Sequence, residues 1–169
     1  SFVMSFFSSS QGKARNPFEL RAFLFFEALT LAAGAVGGLL GGISGFGSLI
    51  KPPLTPPAIV FPVVWTILYL MMGFAAYLVW NANDVDGGRV LRMFLLQLLV
   101  NMLWPFFFFR LGWRLFAFFW LLLLIALVTL TMSGFRYISR PAFYLMIPYL
   151  LWTLFAAYLN LGFYLLNAG

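Results

Sequence analysis

The sequence predicts an all-α integral membrane protein, built as a bundle of five transmembrane helices. Hydrophobic residues make up 64% of the chain and charged residues only 8%, whereas a soluble domain is about half apolar and about a quarter charged. Long apolar stretches, most of them at or above the roughly 20 residues that a spanning helix needs, recur along the chain. Short polar or proline-containing segments separate them. With 10 basic and 4 acidic residues, the chain cannot cover a soluble surface.

The composition excludes several kinds of chemistry. The chain has no cysteine and no histidine, which excludes disulfides and removes the commonest general base and metal ligand. A metal in a bound ligand could receive only a weak axial partner such as Tyr, Met or water. The net charge of +6 is expected to lie at helix ends in a membrane protein, so we predict no nucleic-acid partner.

The elements follow in order from hydropathy and from turn residues. A polar tail, residues 1–17, precedes a membrane domain over residues 18–169. The first apolar stretch is too long and glycine-rich for a signal sequence, so we expect it to be retained as a helix. The predicted spans are 18–44, 57–80, 89–109, 113–134 and 141–167.

The first span carries two glycine series, each spaced by four residues and therefore on one helix face. The series are Gly34, Gly38 and Gly42, and Gly37, Gly41 and Gly45. Small residues at this spacing let helices approach closely in lipid. We favour packing within the chain over a dimer interface. Glu27 lies in the same span, and we favour a structural role near the membrane interface over a functional acid.

A stiff loop joins the first two spans. Lys51 is followed by four prolines within six residues, and this loop is predicted to act as a lid. Its prolines are Pro52, Pro53, Pro56 and Pro57. Pro62 falls in the first turns of the second span, where a missing N–H costs least.

The later spans are separated by short turns. Asp84 and Asp86 belong to the polar turn before the third span, and we expect them to be solvated. Pro141 can open the fifth span at its first position. Pro148 lies within that span and is predicted to kink it or to leave a carbonyl group unpaired.

Basic residues set the predicted orientation. The N-terminal side would carry seven of them: Lys13, Arg15, Arg21, Arg89, Arg92, Arg136 and Arg140. The opposite side would carry Lys51, Arg110 and Arg114. The positive-inside rule therefore predicts a cytoplasmic N-terminus.

Three spans each present a stripe of aromatic and polar side chains on one helix face. The stripes are Trp65 and Tyr69 in the second span, Gln97, Asn101 and Trp104 in the third, and Tyr149, Trp152, Ala156 and Asn160 in the fifth. Each polar residue alone is typical of hydrogen bonding between helices, and each aromatic residue of interface belts or packing. Three matching stripes instead favour a shared pocket with flat aromatic walls. Such a pocket suits a large, planar, mostly apolar ligand, such as a free tetrapyrrole or a sterol-like molecule.

No known catalytic constellation is present in the sequence. The chain has no Ser–His–acid set, no metal-ligand cluster and no phosphate-binding glycine loop. Any reaction would have to be photochemical or oxidative and to involve the tryptophans.

Four motifs resemble the TspO/MBR family, the tryptophan-rich sensory proteins related to the mitochondrial translocator protein. The motifs are KPPLTPP at 51–57, FPVVWTILYLMMGFAAYLVW at 61–80, QLLVNMLWPFFFF at 97–109 and PYLLWTLFAAYLN at 148–160. They occur in the family's order, and the resemblance covers residues 20–167. It implies a five-helix bundle, usually a homodimer, with a ligand cavity closed by the loop between the first two helices.

The resemblance also implies ligands and site residues. Family ligands include protoporphyrin IX, cholesterol and synthetic isoquinoline or benzodiazepine drugs, and no cofactor is required. The family's cavity positions match Trp65, Gln97, Asn101, Trp152, Ala156 and Asn160. Some bacterial members degrade protoporphyrin in light through tryptophans that match Trp65 and Trp152, which are therefore the candidates for any catalytic role.

The sequence departs from the family in its lid and at its C-terminal end. Phe46, Gly47, Ser48 and Leu54 stand where the family has tryptophan or tyrosine, so the lid is expected to stack less on a ligand. No basic residue follows Arg140, so the cholesterol motif is absent. This absence favours a bacterial member in the cell membrane.

Four functions are consistent with these features. The leading hypothesis is a receptor, sensor or translocator that binds tetrapyrroles in an intramembrane pocket. The alternatives are a light-dependent protoporphyrin-degrading enzyme and a structural membrane protein without a small-molecule ligand. A transporter built from inverted repeats is least favoured, because the sequence shows no internal repeat.

Overall fold

The structure, a computed structural model, describes residues 16–42 and 46–168. Over these residues the chain forms five long helices and no strand. The helices are α1 (Leu20–Gly41), α2 (Val60–Asn81), α3 (Gly87–Pro105), α4 (Arg114–Ile138) and α5 (Arg140–Asn167). All five helices are long and apolar enough to cross a bilayer, which confirms the predicted fold class. Most of the predicted tail, residues 1–15, lies outside the described residues.

Each helix exposes a broad apolar surface to its surroundings. Leu39 of α1 is 77% exposed, and Val63 and Ile67 of α2 are more than half exposed. A soluble helix would place polar residues at such positions, because only its inward face is apolar. These side chains instead suit the hydrocarbon of a membrane.

The core lies where α2, α3, α4 and α5 meet. Met72, Ala75 and Ala76 of α2 pack there, with Phe94 of α3 and Leu124 of α4, and all five side chains are fully buried. Small residues on α2 let its neighbours approach closely, since lipid supplies no hydrophobic driving force between helices. α5 begins directly after α4, where the Ser139 hydroxyl caps it by accepting a hydrogen bond from the Ala142 amide.

Most of the glycine face of α1 packs within the chain, as the sequence analysis favoured. A Cβ atom added to Gly34 would lie 2.5 Å from the Tyr69 ring. Added to Gly41, it would lie 2.6 Å from Pro105. Gly38 has no described atom within 4 Å of such a Cβ, and Gly45 lies outside the described residues.

Gly73 of α2 packs directly against the backbone of α1. A Cβ added there would lie 2.8 Å from the Thr30 hydroxyl oxygen, 3.0 Å from the Phe26 carbonyl oxygen and 3.1 Å from the Glu27 Cα atom. Two of these neighbours are backbone atoms and cannot rotate away. The substitution Gly73→Ala is therefore expected to lower the free energy of unfolding by about 1–2 kcal/mol, because overpacking outweighs the gain in helix propensity.

This loss can be measured by SDS titration of the protein in mixed micelles. The matched control is Gly88→Ala in α3, since no described atom lies within 4 Å of its added Cβ. Equal stability of the two variants would contradict the close α1–α2 contact.

The end of the fourth span differs from the prediction. The sequence analysis ended this span at residue 134, but α4 continues to Ile138. Gly134 does not terminate the helix. It packs against α3, where an added Cβ would lie 2.9 Å from Val90, so the glycine is required for close contact between helices.

Pro105 and Pro148 affect their helices in different ways. α3 ends at Pro105 and continues as a π-helical turn, Phe106–Arg110, in which the Leu111 amide donates to the Phe106 carbonyl at 3.0 Å. α5 runs as one continuous helix through Pro148.

The carboxylates occupy two kinds of environment. Asp86 is exposed and lies 3.8 Å from the Arg89 guanidinium, as expected for a solvated turn. Glu27 is only 9% exposed, and its Oε2 atom has no hydrogen-bond partner among the described residues. It packs beside Gly73 in the α1–α2 contact.

Candidate functional site

A cavity of about 880 Å³ lies inside the bundle. Helices α1, α2, α3 and α5 form its walls, with the π-helical turn and parts of the α1–α2 loop, while α4 contributes no lining residue. Its volume is within the range of roughly 300–1,000 Å³ that is typical of small-molecule sites.

Three tryptophans line the cavity: Trp65 of α2, Trp104 of α3 and Trp152 of α5. The rings of Trp65 and Trp152 lie 6.4 Å apart and nearly perpendicular, at 87°. Trp65 also stacks on Tyr69, with ring centroids 5.7 Å apart. Flat aromatic surfaces of this kind contact a planar ligand over a large area with little loss of side-chain entropy.

A hydrogen-bonded network forms the floor of the cavity. The Asn101 amide nitrogen donates to the Tyr149 hydroxyl at 2.8 Å, and that hydroxyl donates to the Gln97 carbonyl oxygen at 2.8 Å. The Tyr69 hydroxyl donates to the Asn101 carbonyl oxygen over a longer 3.5 Å. The network joins α2, α3 and α5, and its four side chains are buried.

Met72 fixes the direction of this network. The Gln97 amide nitrogen lies 3.9 Å from the Met72 sulfur, and a thioether can accept but not donate a hydrogen bond. The Gln97 nitrogen therefore faces Met72, and its oxygen faces Tyr149. This order leaves the Asn101 oxygen directed at Tyr69, on the cavity side. The floor thus presents a weakly bonded acceptor to a ligand.

A second polar cluster fixes the Trp104 ring. The Trp104 indole nitrogen donates to the Asn160 carbonyl oxygen at 2.9 Å, and the Asn160 nitrogen donates to the Arg114 carbonyl at 2.8 Å. Asn160 therefore links α3, α4 and α5, and its amide hydrogen-bonding capacity is largely used within the protein. In contrast, the Trp152 indole nitrogen is buried and has no hydrogen-bond partner among the described residues.

The described part of the α1–α2 loop is fastened to α5. The Asn167 side chain exchanges two hydrogen bonds with the Ile50 backbone, both 2.9 Å long. The Tyr158 hydroxyl donates to the Pro53 carbonyl at 2.8 Å. Pro52 packs on Gly162, where an added Cβ would lie 2.6 Å from its ring. These contacts hold the loop over one end of the cavity.

Phe46 gives this loop an aromatic ring at the cavity. It lines the cavity and packs against Phe61, Phe109 and Phe163, with centroid distances between 5.7 and 6.2 Å. Leu54 is 81% exposed and does not contribute. Leu54 therefore adds no surface to the cavity, while Phe46 provides an aromatic one, and weaker stacking of the lid on a ligand stays a prediction.

The structure brings most of the sequence-predicted site residues together. Those lining the cavity are Trp65, Tyr69, Asn101, Trp104, Trp152, Ala156 and Asn160. Gln97 and Tyr149 are not lining residues, because they lie one layer deeper, where they hold Asn101. The lid residues Lys51, Pro52, Pro56 and Pro57 are not lining residues either.

Sequence reasoning missed the α1 wall and the phenylalanines of the cavity. Gly34, Ala35 and Gly38 line the cavity from α1, and Phe108 and Phe163 line it from the π-helical turn and from α5. The glycine series was a usable signal, because a stripe of small residues can border a space as well as a helix. The phenylalanines carried no signal within runs of similar residues.

The cavity is chemically simple. Among the described residues no three His, Cys, Asp or Glu side chains come close enough to hold a metal ion. None of the four carboxylates of the chain lines the cavity. The arrangement can bind a molecule by shape, stacking and a few hydrogen bonds.

Five apolar helices define an integral membrane protein, and four of them enclose an internal aromatic cavity. Residues 26–165 match the model of the TspO/MBR family, and the chain belongs to that family.

Relatives support this assignment over most of the chain. The chain is 41% identical to the tryptophan-rich protein TspO of Chlorobaculum tepidum over 126 residues, which are 72% of this chain and 78% of the relative. It is 36% identical to the translocator protein of Ovis aries, over 79% of this chain and 85% of the relative. It is 35% identical to a tryptophan-rich sensory protein of Cereibacter sphaeroides, over 82% of this chain and 86% of the relative.

Proposed function

We propose that the protein is a membrane receptor or sensor that binds tetrapyrroles of the protoporphyrin IX type, and related planar apolar ligands, in this cavity. The observation that carries the proposal is the cavity itself, about 880 Å³ in volume and walled by three tryptophans. A tetrapyrrole is flat, wide and largely apolar, so it can stack on the face of one of the two perpendicular rings, Trp65 or Trp152, and contact the other with its edge. No cofactor is needed for such binding.

The polar groups at the cavity fit this class of ligand. The Asn101 oxygen can accept a hydrogen bond, because its contact with the Tyr69 hydroxyl is long, at 3.5 Å. The Trp152 indole nitrogen has no partner among the described residues, so it can donate after a small movement of the ring. Sparse polar groups in an apolar cavity orient a ligand without requiring that it carry charge.

Replacing Trp65 or Trp152 with phenylalanine tests the proposal. Each substitution removes part of a stacking surface, and at Trp152 also a donor, so each is expected to weaken protoporphyrin IX binding by about 5- to 30-fold. Titration in detergent, followed by quenching of tryptophan fluorescence and by porphyrin absorbance, measures the dissociation constants.

The control is Trp113→Phe, since Trp113 is exposed and lies outside the cavity. Unchanged affinity in both cavity variants would refute the placement of the ligand. If the unsubstituted protein showed no saturable binding at all, the structural-protein alternative would replace the proposal.

Light-dependent breakdown of protoporphyrin is the second candidate function. The observation that favours it is the pair of indole rings 6.4 Å apart at one cavity. It differs from simple binding in its product. Illumination of the complex in air, followed by chromatography of the pigment, would show new products under this candidate and intact porphyrin under the first.

We further propose a homodimer in a bacterial cell membrane with the N-terminus in the cytoplasm. Support for the orientation comes from the basic residues, of which the larger group lies on the N-terminal side. Support for the dimer comes from the family resemblance alone. Single-cysteine labelling from either side of the membrane can test the orientation, since the chain has no native cysteine.

A further inference from the structure

We propose that an apolar ligand enters and leaves the cavity sideways, from the bilayer, through a gap between α1 and α2. The gap is bordered by Ala35 and Gly38 on α1 and by Pro62 and Thr66 on α2, and we call these four residues the α1–α2 gap. All four line the cavity and are exposed. This inference rests on the proposed ligand-binding function.

Helix α1 changes its packing partner along its length. As far as Gly34 it packs on α2, where Thr30 lies against Gly73 and Gly34 lies against Tyr69. From Gly37 onwards it packs on α3, where Gly37 lies against Met102 and Gly41 against Pro105. This change of partner directs the end of α1 away from α2, and the proposed opening lies beyond the Gly34–Tyr69 contact.

On α1 the residues that border this opening are small. A Cβ built on Gly38 has no described atom within 4 Å, and its neighbour along the helix face is Ala35. On the other side, the Thr66 hydroxyl donates to the Pro62 carbonyl at 2.7 Å, so it presents its methyl group and no unsatisfied donor. The rim is thus small and apolar, and a flat ligand would meet no polar barrier there.

The opening lies at the depth of the lipid chains. Gly34 and Gly38 precede the end of α1 by seven and three residues, which places them about 10 Å and about 5 Å from it along the axis. A helix of 22 residues is about 33 Å long, close to the roughly 30 Å hydrocarbon core. The residues beside the gap, Leu39 and Val63, are apolar and exposed, as expected for contact with lipid.

The described lid offers a more costly route. Displacing it would break the two Asn167–Ile50 hydrogen bonds and the Tyr158–Pro53 hydrogen bond. It would also separate Phe46 from the three phenylalanine rings around it. Passage through the gap breaks none of these contacts. A ligand that dissolves in the hydrocarbon of the membrane can therefore reach the Trp65 ring with the lid in place.

Two glycines provide a matched test of the two routes. Gly38 borders the gap and Gly47 lies in the lid loop, and both line the cavity with no described atom within 4 Å of an added Cβ. The variants Gly38→Phe and Gly47→Phe therefore add the same side chain at either opening. The probe is protoporphyrin IX dimethyl ester, which partitions into lipid, mixed with proteoliposomes in a stopped-flow fluorimeter.

Gly38→Phe is expected to slow both association and dissociation of the ester by about tenfold while changing the dissociation constant little, because the phenyl ring obstructs passage in both directions. Gly47→Phe, at the lid, is expected to slow association and dissociation much less than Gly38→Phe does, whatever its effect on the dissociation constant. Unaltered rates for Gly38→Phe, or a larger decrease for Gly47→Phe, would overturn the inference.

A second pair of variants addresses the opposite edge and guards against misfolding of Gly38→Phe. Thr66→Phe narrows the gap from α2, while Ile67→Phe adds the same ring to the lipid face, outside the cavity lining. Only Thr66→Phe should slow exchange. If both variants bind the ester saturably and exchange it at the rates of the unsubstituted protein, the proposed route through the gap is overturned and the proposed function is not. If the unsubstituted protein shows no saturable binding, the proposed function is overturned as well.

Discussion

Replacing Tyr149 with phenylalanine is expected to lower the free energy of unfolding by about 1–3 kcal/mol. The hydroxyl accepts a hydrogen bond from Asn101 and donates one to Gln97, both at 2.8 Å. The substitution leaves the amide N–H of Asn101 and the side-chain carbonyl oxygen of Gln97 unpaired, and both side chains are buried. An unsatisfied buried polar group costs more than the net value of the bond that it lost.

Tyr144→Phe is the matched control for this prediction. Tyr144 lies on the same helix but is 60% exposed, so loss of its hydroxyl leaves no buried group unpaired. Reversible unfolding in mixed micelles compares the two variants. Equal stability would mean that the floor network contributes nothing to folding.

The same substitution should also affect ligand binding. Without the Tyr149 hydroxyl, the Asn101 amide group is free to rotate, and its oxygen no longer has a fixed direction toward the cavity. We therefore expect weaker protoporphyrin IX binding although Tyr149 does not line the cavity. This effect distinguishes a residue that positions Asn101 from one that only stabilises the bundle.

Replacing Ala156 with phenylalanine is expected to abolish high-affinity binding, with a loss of at least about 100-fold. Ala156 lines the cavity on α5, one turn from both Trp152 and Asn160. A phenyl ring at this position would project between these side chains and occupy the space above the floor. The ligand would then have to displace a packed aromatic ring.

The binding titration with protoporphyrin IX measures this loss directly. Leu154→Phe is the control, because Leu154 is on the same helix and is 47% exposed on the outer surface. Wild-type affinity in the Ala156→Phe protein, at unchanged stability, would place the ligand elsewhere.

Local sequence features were sufficient to predict the fold. Five long apolar segments, separated by short polar or proline-containing turns, can form only membrane-spanning helices, because no unpaired backbone group is tolerated in hydrocarbon. Helix ends were less predictable. Gly134 resembles a helix end, but its role is to allow α4 to approach Val90 of α3, and that contact depends on a partner distant in sequence.

The candidate site was predicted in part, for a related reason. Spacing on a helix places Trp65 beside Tyr69 and Trp152 beside Ala156, so each stripe could be recognised alone. Spacing does not show how deeply a stripe lies in the bundle. Asn101 reaches the cavity, whereas Gln97 on the same face bonds to Tyr149 one layer below it.

The sequence by itself determined the membrane environment, the number of helices and the aromatic stripes, because these depend on composition and on helical periodicity. Only the tertiary structure decided which stripe residues border the cavity, which of them hold others in place, and where the bundle opens. The position of the opening follows from α1, which packs first on α2 and then on α3. This packing depends on the pairing of Gly34 with Tyr69 and of Gly41 with Pro105, which no local pattern specifies.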